Sequence, residues 1–474
     1  MNIDEFRKQS HSIVDWIADY FENIEKYPVK SPAAPHDIIR QLPGSPPITG
    51  ESFEAIFKDF QDIILPGMTH WQHPSFFAYF NANNSYPSIL AEMLTAALGA
   101  QCMIWQTSPA AAELEERVMQ WTARLIGLPD NFEGVIQETA SAATLCSILS
   151  AREKWSDYTV NSDGLYNKNR FTIYCSSEAH SSIEKAVKII GLGKNNLRKI
   201  QVDENFAMIP GKLEEAVLKD KNQGHIPLAV IAAIGTTGST AVDPLEPIGH
   251  ICREHNVWLH VDAAYAGTAL LLPEMRHFIK GIEMADTFVF NPHKWMFTNF
   301  DCSAYFVKDK EPLIRSLEIL PEYLKTKEGD RANNYRDWGI QLGRRFRALK
   351  LWFVIRSFGI SGLQEKIRNH ICWARELADE IRDSHQFELL APVSFAVVCF
   401  RYKPAGIPGT EKLDALNQQL MEDLNASGKL YLSHTKLNGV YTLRLVVGQT
   451  YQEKYHIENA WALVKSHAAR LPLN

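Results

Sequence analysis

Between roughly Ser85 and Gly359 short β-rich runs alternate with helical ones, and few architectures accommodate that order. "RFTIYCS" precedes the helical "HSSIEKAVKIIGL". "PLAVIAAIG" precedes a Gly/Thr/Ser turn and the helical "LEPIGHICREH". "VWLHVDAAYAG", "TFVFNPHKW" and "SAYFVKD" follow. Such alternation predicts an α/β fold built from βαβ units around a mostly parallel, buried central sheet. In open sheets of this kind a ligand sits beyond the carboxyl ends of the strands.

The flanks read differently. Residues 3–24 set Ile3, Phe6, Ile13, Val14, Ile17, Phe21 and Ile24 at helical spacing, giving an opening helix whose apolar face needs a partner. Six prolines between Tyr27 and Pro47 predict an extended connector, after which helical pattern returns in "SFEAIFKDFQDIIL". Beyond Gly359 come helices, the strand-like "SFAVVCFRY" and "VYTLRLVVG", and a closing helix "HIENAWALVKSHAARL". The expected division is a helical N-terminal segment over 1–84, a large α/β domain over 85–359 and a small α+β domain over 360–474. "YLKTKEGDRANNYRDW", Tyr323 to Trp338, is polar with few apolar anchors and reads as a mobile surface loop or lid, or else as an ordinary connector.

Composition narrows the function classes. The net charge is −6, so the basic stripe of a nucleic-acid binder is missing. The 16 histidines are scattered without an HExxH, and the seven cysteines form no CxxC pair, so no metal site is expected. Those cysteines mostly sit in apolar runs, as small hydrophobes do in a reducing compartment. The opening residues lack a signal-peptide pattern and no stretch of 18 apolar residues occurs. The expectation is a cytoplasmic protein with neither nucleic acid nor membrane as partner.

Four polar features then stand out. Lys294 in "FNPHKW" lies in an apolar, aromatic neighbourhood. A desolvated ammonium tends to shed its proton and becomes a nucleophile able to form a Schiff base; the alternative is a lysine that snorkels to water. Asp262 ends the buried-looking strand of "WLHVDAAYAG", as a turn or cap residue or as the partner of a protonated ring nitrogen. His180, after "FTIYCS", is either a polar cap or an imidazole stacked on a flat cofactor. The run Thr139, Ala140, Ser141 opens a helix, as an N-cap or as a phosphate cradle. Neither a P-loop nor a GxGxxG occurs. Taken jointly, a Schiff-base lysine, a pyridinium partner, a stacking imidazole and a phosphate cradle are the parts needed to hold pyridoxal phosphate.

At these residues the sequence resembles the group II pyridoxal-phosphate decarboxylases and is most similar to the aromatic-L-amino-acid decarboxylases. "HPSFFAYF", "SYPSILAEML", "VIQETAS", "HSSIEKA", "HVDAAYAG", "NPHKW" and "YRDWGIQLGRRFRALKLWFV" keep the family's order over nearly the whole chain, with 32 residues from Asp262 to Lys294. The resemblance implies a fold-type I, aspartate-aminotransferase-like homodimer with active sites at the interface and the opening helices wrapped on the partner. It implies that Lys294 carries the cofactor, Asp262 pairs with the ring nitrogen, Ala264 packs beneath the ring and His180 stacks above it. Thr139, Ala140, Ser141 and Asn291 fall in the phosphate region with His293 nearby, and Thr237 lies near the ring's 3′ oxygen. Tyr323 matches a loop tyrosine that delivers a proton to the substrate carbon.

The implied reaction is decarboxylation of an aromatic L-amino acid (tryptophan, tyrosine, dopa or phenylalanine) to its amine and carbon dioxide. The implied side-chain pocket includes Trp71, Tyr79, Phe80 and Phe300. Gly343 stands where histidine-specific members carry serine, which points to a ring larger than imidazole. Gln101 and Met103 replace apolar and aromatic residues of the family. The rival reading is an aromatic aldehyde synthase, which shares fold and cofactor but oxidises its substrate; such enzymes carry Phe at the loop position where this chain has Tyr323.

Overall fold

The computed structural model describes residues 1–165, 170–319 and 332–472, which fall into two compact units. One unit comprises Met1–Asn81, Asp379–Glu388 and Phe400–Asn474; the other comprises Ala82–Ala378 and Leu389–Cys399.

The larger unit is built on strands β1 (Glu133–Gln137), β2 (Phe171–Ser176), β3 (Leu197–Ile200), β4 (Ile226–Ala233), β5 (Trp258–Asp262), β6 (Thr287–Phe290) and β7 (Ser303–Val307). They form one sheet in the order β1-β7-β6-β5-β4-β2-β3. Pairing is parallel from β3 through β6, and β7 runs antiparallel to both its neighbours. The sheet is therefore mostly parallel, as the alternating pattern predicts. Every residue of β2, β6 and β7 is buried, because helices cover both faces.

The helix Ala140–Trp155 crosses one face. Small residues at Ala140, Ala143, Thr144, Ser147 and Ala151 face inward and let its backbone lie close on the strands. Its apolar positions enter two clusters: Ile148 and Ala151 with Ile173, Val187, Ile231 and Trp258, and Ala143 and Cys146 with Val135, Val289 and Tyr305. The helix Leu245–His255 coincides with the run read from sequence. Tyr335–Trp338 departs from the surface loop expected there. It is a short buried turn with Tyr335 and Trp338 packed into the second cluster, two aromatic anchors that the polar composition around them masks. Residues 320–331, with Tyr323, lie outside the described residues.

In the smaller unit the opening helix Ile3–Glu22 starts with a capping box, Asn2 accepting from Glu5 N–H while the Glu5 carboxylate accepts from Asn2 N–H. "SFEAIFKDFQDIIL" forms the helix Phe53–Asp59 and continues into a wider turn over Phe60–Ile64. Near the C-terminus the strands Ser433–Leu437 and Val440–Val446 form an antiparallel hairpin. Among the described residues no helix is long and apolar enough to cross a membrane.

One buried charge cluster braces the β3 side of the large sheet. Asp220, 2% exposed, takes two hydrogen bonds from Arg198 Nε and Nη2 at 2.9 and 2.8 Å, one from Tyr174 Oη at 2.7 Å and one from His225 Nδ1 at 3.1 Å. Burial raises the pKa of this carboxyl, but the Arg198, Tyr174 and His225 hydrogen bonds outweigh it and hold the value at about 2 against an ordinary 3.8. A depressed carboxyl contributes stability that is present above 3.8 and is lost as pH falls toward 2. The shift corresponds to roughly 2 kcal/mol. Asp220→Asn should lower the apparent melting temperature at neutral pH, and the gap to the parent should close as pH falls through that window. A gap that is constant with pH would rule this account out.

Candidate active site

The strand order brings five chain segments to one edge of the sheet. β1 is antiparallel to β7 and β7 to β6, so β1 points the same way as β2, β4, β5 and β6. The carboxyl ends of these strands lead into Thr139, His180, Thr237, Asp262 and Asn291 with Lys294. The sheet thus gathers at one edge residues separated by up to 155 positions in sequence (294 − 139).

Lys294 lies in the single-turn helix Pro292–Trp295 just after β6. Its backbone is braced at two points by Asn83. Asn83 Nδ2 donates to the Lys294 carbonyl at 2.5 Å, and Asn83 N–H donates to the His293 carbonyl at 3.1 Å. Burial pushes the ammonium pKa down from its ordinary 10.5, with the Asp262 carboxylate pulling the other way. Asp262 in turn accepts from Ala264 N–H at 3.0 Å, and the Ala264 carbonyl accepts from Asn291 N–H at 3.0 Å. Ala264 is therefore the backbone tie between the β5 end and the β6 end.

His180 feels the charges of both Asp262 and Lys294, which places the three in one electrostatic group. Desolvation lowers its pKa first, Asp262 opposes, and Lys294 and Lys199 add to the lowering. Its Nδ1 accepts from Ser182 N–H at 3.1 Å and lies 2.8 Å from Ser182 Oγ. That fixes the neutral ring with its proton on Nε2 and sets its plane.

The helix Ala140–Trp155 starts at this edge, with Thr139 as N-cap accepting from Ala142 N–H at 3.3 Å. The first-turn N–H groups of Ala140 and Ser141 have no acceptor among the described residues, and Ser141 is exposed. Orphan donors at a helix N-terminus suit an anion. Asn291 Oδ1 accepts from Ser303 Oγ at 2.8 Å, which leaves its amide N–H groups as donors. His293 is buried and held neutral, its pKa pushed to about 3 first by burial and then by Lys294, while its Nδ1 accepts from Cys302 N–H at 2.9 Å. A carboxylate for the ring nitrogen, a lysine for the aldehyde and N–H donors for the phosphate are gathered at these strand ends, so the residues present fit pyridoxal phosphate.

Thr237 sits exposed in a tight turn after β4, closed by Gly235 and Thr236 N–H groups donating to the Ala241 carbonyl. Phe300 is 58% exposed, with its ring 4.7 Å from that of His293. Gly343 is also exposed; a Cβ there would meet Gln101 Nε2 at 3.1 Å, and Gln101 Oε1 accepts from Arg344 N–H at 2.6 Å. Trp71, Tyr79 and Phe80 belong to the smaller unit. There Trp71 stacks on Tyr79 at 5.9 Å, Tyr79 reaches Tyr431 Oη at 3.3 Å, and the Arg444 guanidinium lies 5.3 Å from the Phe80 ring.

Several supporting groups escaped the sequence reading. Arg344 and Glu115 form a buried pair at 2.5 Å that ties Cys102 and Ile136 carbonyls to the same guanidinium. Arg347 bridges Asp301 at 2.9 Å and Glu138 at 3.3 Å. These partners are far apart in sequence, and nothing in the pattern around either one announces the other.

Residues 35–403 match the pyridoxal-dependent decarboxylase conserved domain. A tyrosine decarboxylase of Papaver somniferum is 41% identical, covering 98% of this chain and 94% of the relative. A phenylacetaldehyde synthase of a Rosa hybrid cultivar is 42% identical over 98% of this chain and 94% of the relative. Among solved structures, Oryza sativa TDC with PLP and tryptamine superposes with a TM-score of 0.96 at 37% identity, covering 99% of this chain and 98% of that one. Together with the lysine, carboxylate and imidazole gathered at the strand ends, these matches establish that the chain belongs to the pyridoxal-dependent decarboxylase family.

Proposed function

We propose that this protein decarboxylates an aromatic L-amino acid to the corresponding amine and carbon dioxide, using pyridoxal phosphate. The observation that carries the reading is Lys294, its pKa lowered by burial, in electrostatic contact with Asp262 and His180 at the converging strand ends. Substrate class is supported by the tyrosine decarboxylase relative, by the tryptamine in the rice structure, and by the stacked Trp71 and Tyr79, a surface suited to an aromatic ring.

When bound, pyridoxal phosphate supplies a carbonyl that captures an amine and a ring that accepts the electron pair released with carbon dioxide. The rest falls to side chains. Lys294, less basic than an ordinary lysine, has more of its amine neutral and able to attack. Asp262 would hold the proton on the ring nitrogen, and Ala264 and His180 would flank the two ring faces. Thr139, Ala140, Ser141 and Asn291 would bind the phosphate, with His293 close by, and Thr237 would lie beside the 3′ oxygen. The family resemblance assigns Phe300 and Gly343 to the substrate side chain, and it assigns Trp71, Tyr79 and Phe80 the same role. Tyr323 would protonate the substrate carbon.

Borohydride reduction should fix the cofactor covalently on the tryptic peptide containing Lys294, and Lys294→Ala should lose that adduct and the release of carbon dioxide. The parent, given tyrosine, dopa, tryptophan and phenylalanine in turn, should yield amine. Keto acid as the main product would defeat the decarboxylase reading.

The phenylacetaldehyde synthase relative favours a second reading, oxidative release of an aldehyde. Tyr323 separates the two. Tyr323→Phe should keep cofactor binding while product shifts from amine toward aldehyde and peroxide. Amine formed at the parent rate, with neither by-product, would remove Tyr323 from the reaction.

The protein is further proposed to be a homodimer of the cytoplasm. The opening helix leaves Ile3, Phe6 and Val14 exposed at 68%, 57% and 42%, and the helix Tyr86–Leu98 exposes Leu90, Leu94 and Leu98. Apolar surface on that scale normally marks an interface. The seven cysteines, six of them buried, form no disulfide with one another and suit a reducing compartment. Sedimentation should give twice the chain mass, and deletion of residues 1–24 should cause aggregation or loss of the dimer. A soluble, active monomer after truncation would refute the assignment.

A further inference from the structure

Beneath the site a buried polar network crosses what should be an apolar helix–sheet interface. His260 on β5, Thr144 and Ser147 on the helix Ala140–Trp155, and Thr287 on β6 are all 0% exposed. His260 and Thr287 are direct neighbours across the β5–β6 ladder. His260 Nδ1 lies 2.8 Å from Thr287 Oγ1, and its Nε2 lies 3.1 Å from Thr144 Oγ1. Ser147 Oγ lies 2.7 Å from Thr287 Oγ1 and accepts from Trp258 Nε1 at 3.0 Å. One direction of donation gives each of these contacts a donor and an acceptor: Trp258 to Ser147, Ser147 to Thr287, Thr287 to His260 Nδ1, and His260 Nε2 to Thr144. The imidazole is neutral, as burial pushes its pKa to about 4.

Each element joined here ends in one part of the candidate site. The helix begins at Thr139, Ala140 and Ser141, a turn before Thr144. β5 ends at Asp262, two residues beyond His260 and on the same face of the strand. β6 leads from Thr287 to Asn291 and Lys294. Apolar packing could hold the same elements together, but it is non-directional and leaves sliding of a fraction of an ångström inexpensive. Hydrogen bonds from one rigid ring to two elements set both distance and direction.

We propose that His260 is a positioning residue, locking the helix N-terminus, the Asp262 strand end and the Lys294 strand end in the single register that the phosphate, ring nitrogen and aldehyde of the cofactor require. The inference rests on the cofactor reading above. It adds a residue that touches none of the cofactor atoms and acts through the elements that do.

The test uses holoenzyme of the parent and of Thr144→Val, Thr287→Val and Thr144→Ser, with Asp220→Asn as a control that removes a buried polar link elsewhere in the same unit. Equilibrium dialysis gives the pyridoxal phosphate dissociation constant, and the visible band of the bound cofactor reports its protonation. Thr144→Val should raise the dissociation constant about tenfold, the cost of stranding one buried donor, and should alter the band. Thr287→Val should do at least as much, and Thr144→Ser should restore both. Asp220→Asn should lower thermal stability while leaving affinity and spectrum at parent values. Parent-like affinity and spectrum in Thr144→Val, or equal losses in Asp220→Asn, would reduce the network to ordinary structural support and overturn the proposal. A parent without bound cofactor would instead refute the functional reading, and the positioning role with it.

Discussion

The structure turns on the cost of taking one ammonium out of water. Lys294 is placed where desolvation lowers its pKa, and the Asp262 carboxylate on the adjacent strand pulls the other way. Desolvating an ammonium is costly, and a nearby carboxylate offsets part of that cost. The sheet order answers that constraint, since β5 and β6 are neighbours in register and their ends deliver the carboxylate and the amine together. The brackets around Ala264, Asn291 and Asn83 follow from the same need, because a pair that must stay matched tolerates little drift.

The central strands were legible because burial on both faces leaves a continuous apolar run, and β2, β4, β5, β6 and β7 all have one. The edge strands β1 and β3 show no such run. "EGVIQ" and "LRKI" carry charged or polar positions because an edge is covered on fewer sides, so their runs are short and mixed. The Tyr335–Trp338 turn is masked for a related reason: two rings anchor it, but averaged over sixteen residues they are outweighed by charge.

Within the candidate site, legibility followed chemical anomaly. Lys294 and Asp262 stood out because a charge in apolar surroundings demands an explanation. His260 did not, since within "WLHVD" a histidine reads as one more member of a buried strand. Its meaning lies in Thr144 and Thr287, more than 100 positions before it and 27 after it, and only the folded arrangement brings the two hydroxyls and the two ring nitrogens into line. Pairwise structure of this sort, like the Arg344–Glu115 bridge, leaves no periodic trace.

The hydrogen bonds from Asn83 to the carbonyls of His293 and Lys294 carry a mechanical consequence. With its main chain clamped from a second segment, Lys294 behaves as a lever on a fixed fulcrum. Whatever its terminal nitrogen does as it leaves one bonding partner and returns to it is accomplished by torsion about four methylenes. With the pivot held by those two hydrogen bonds, the reach of that arm is set by its own length, and a shorter basic side chain at the same pivot would fall short by a definite length.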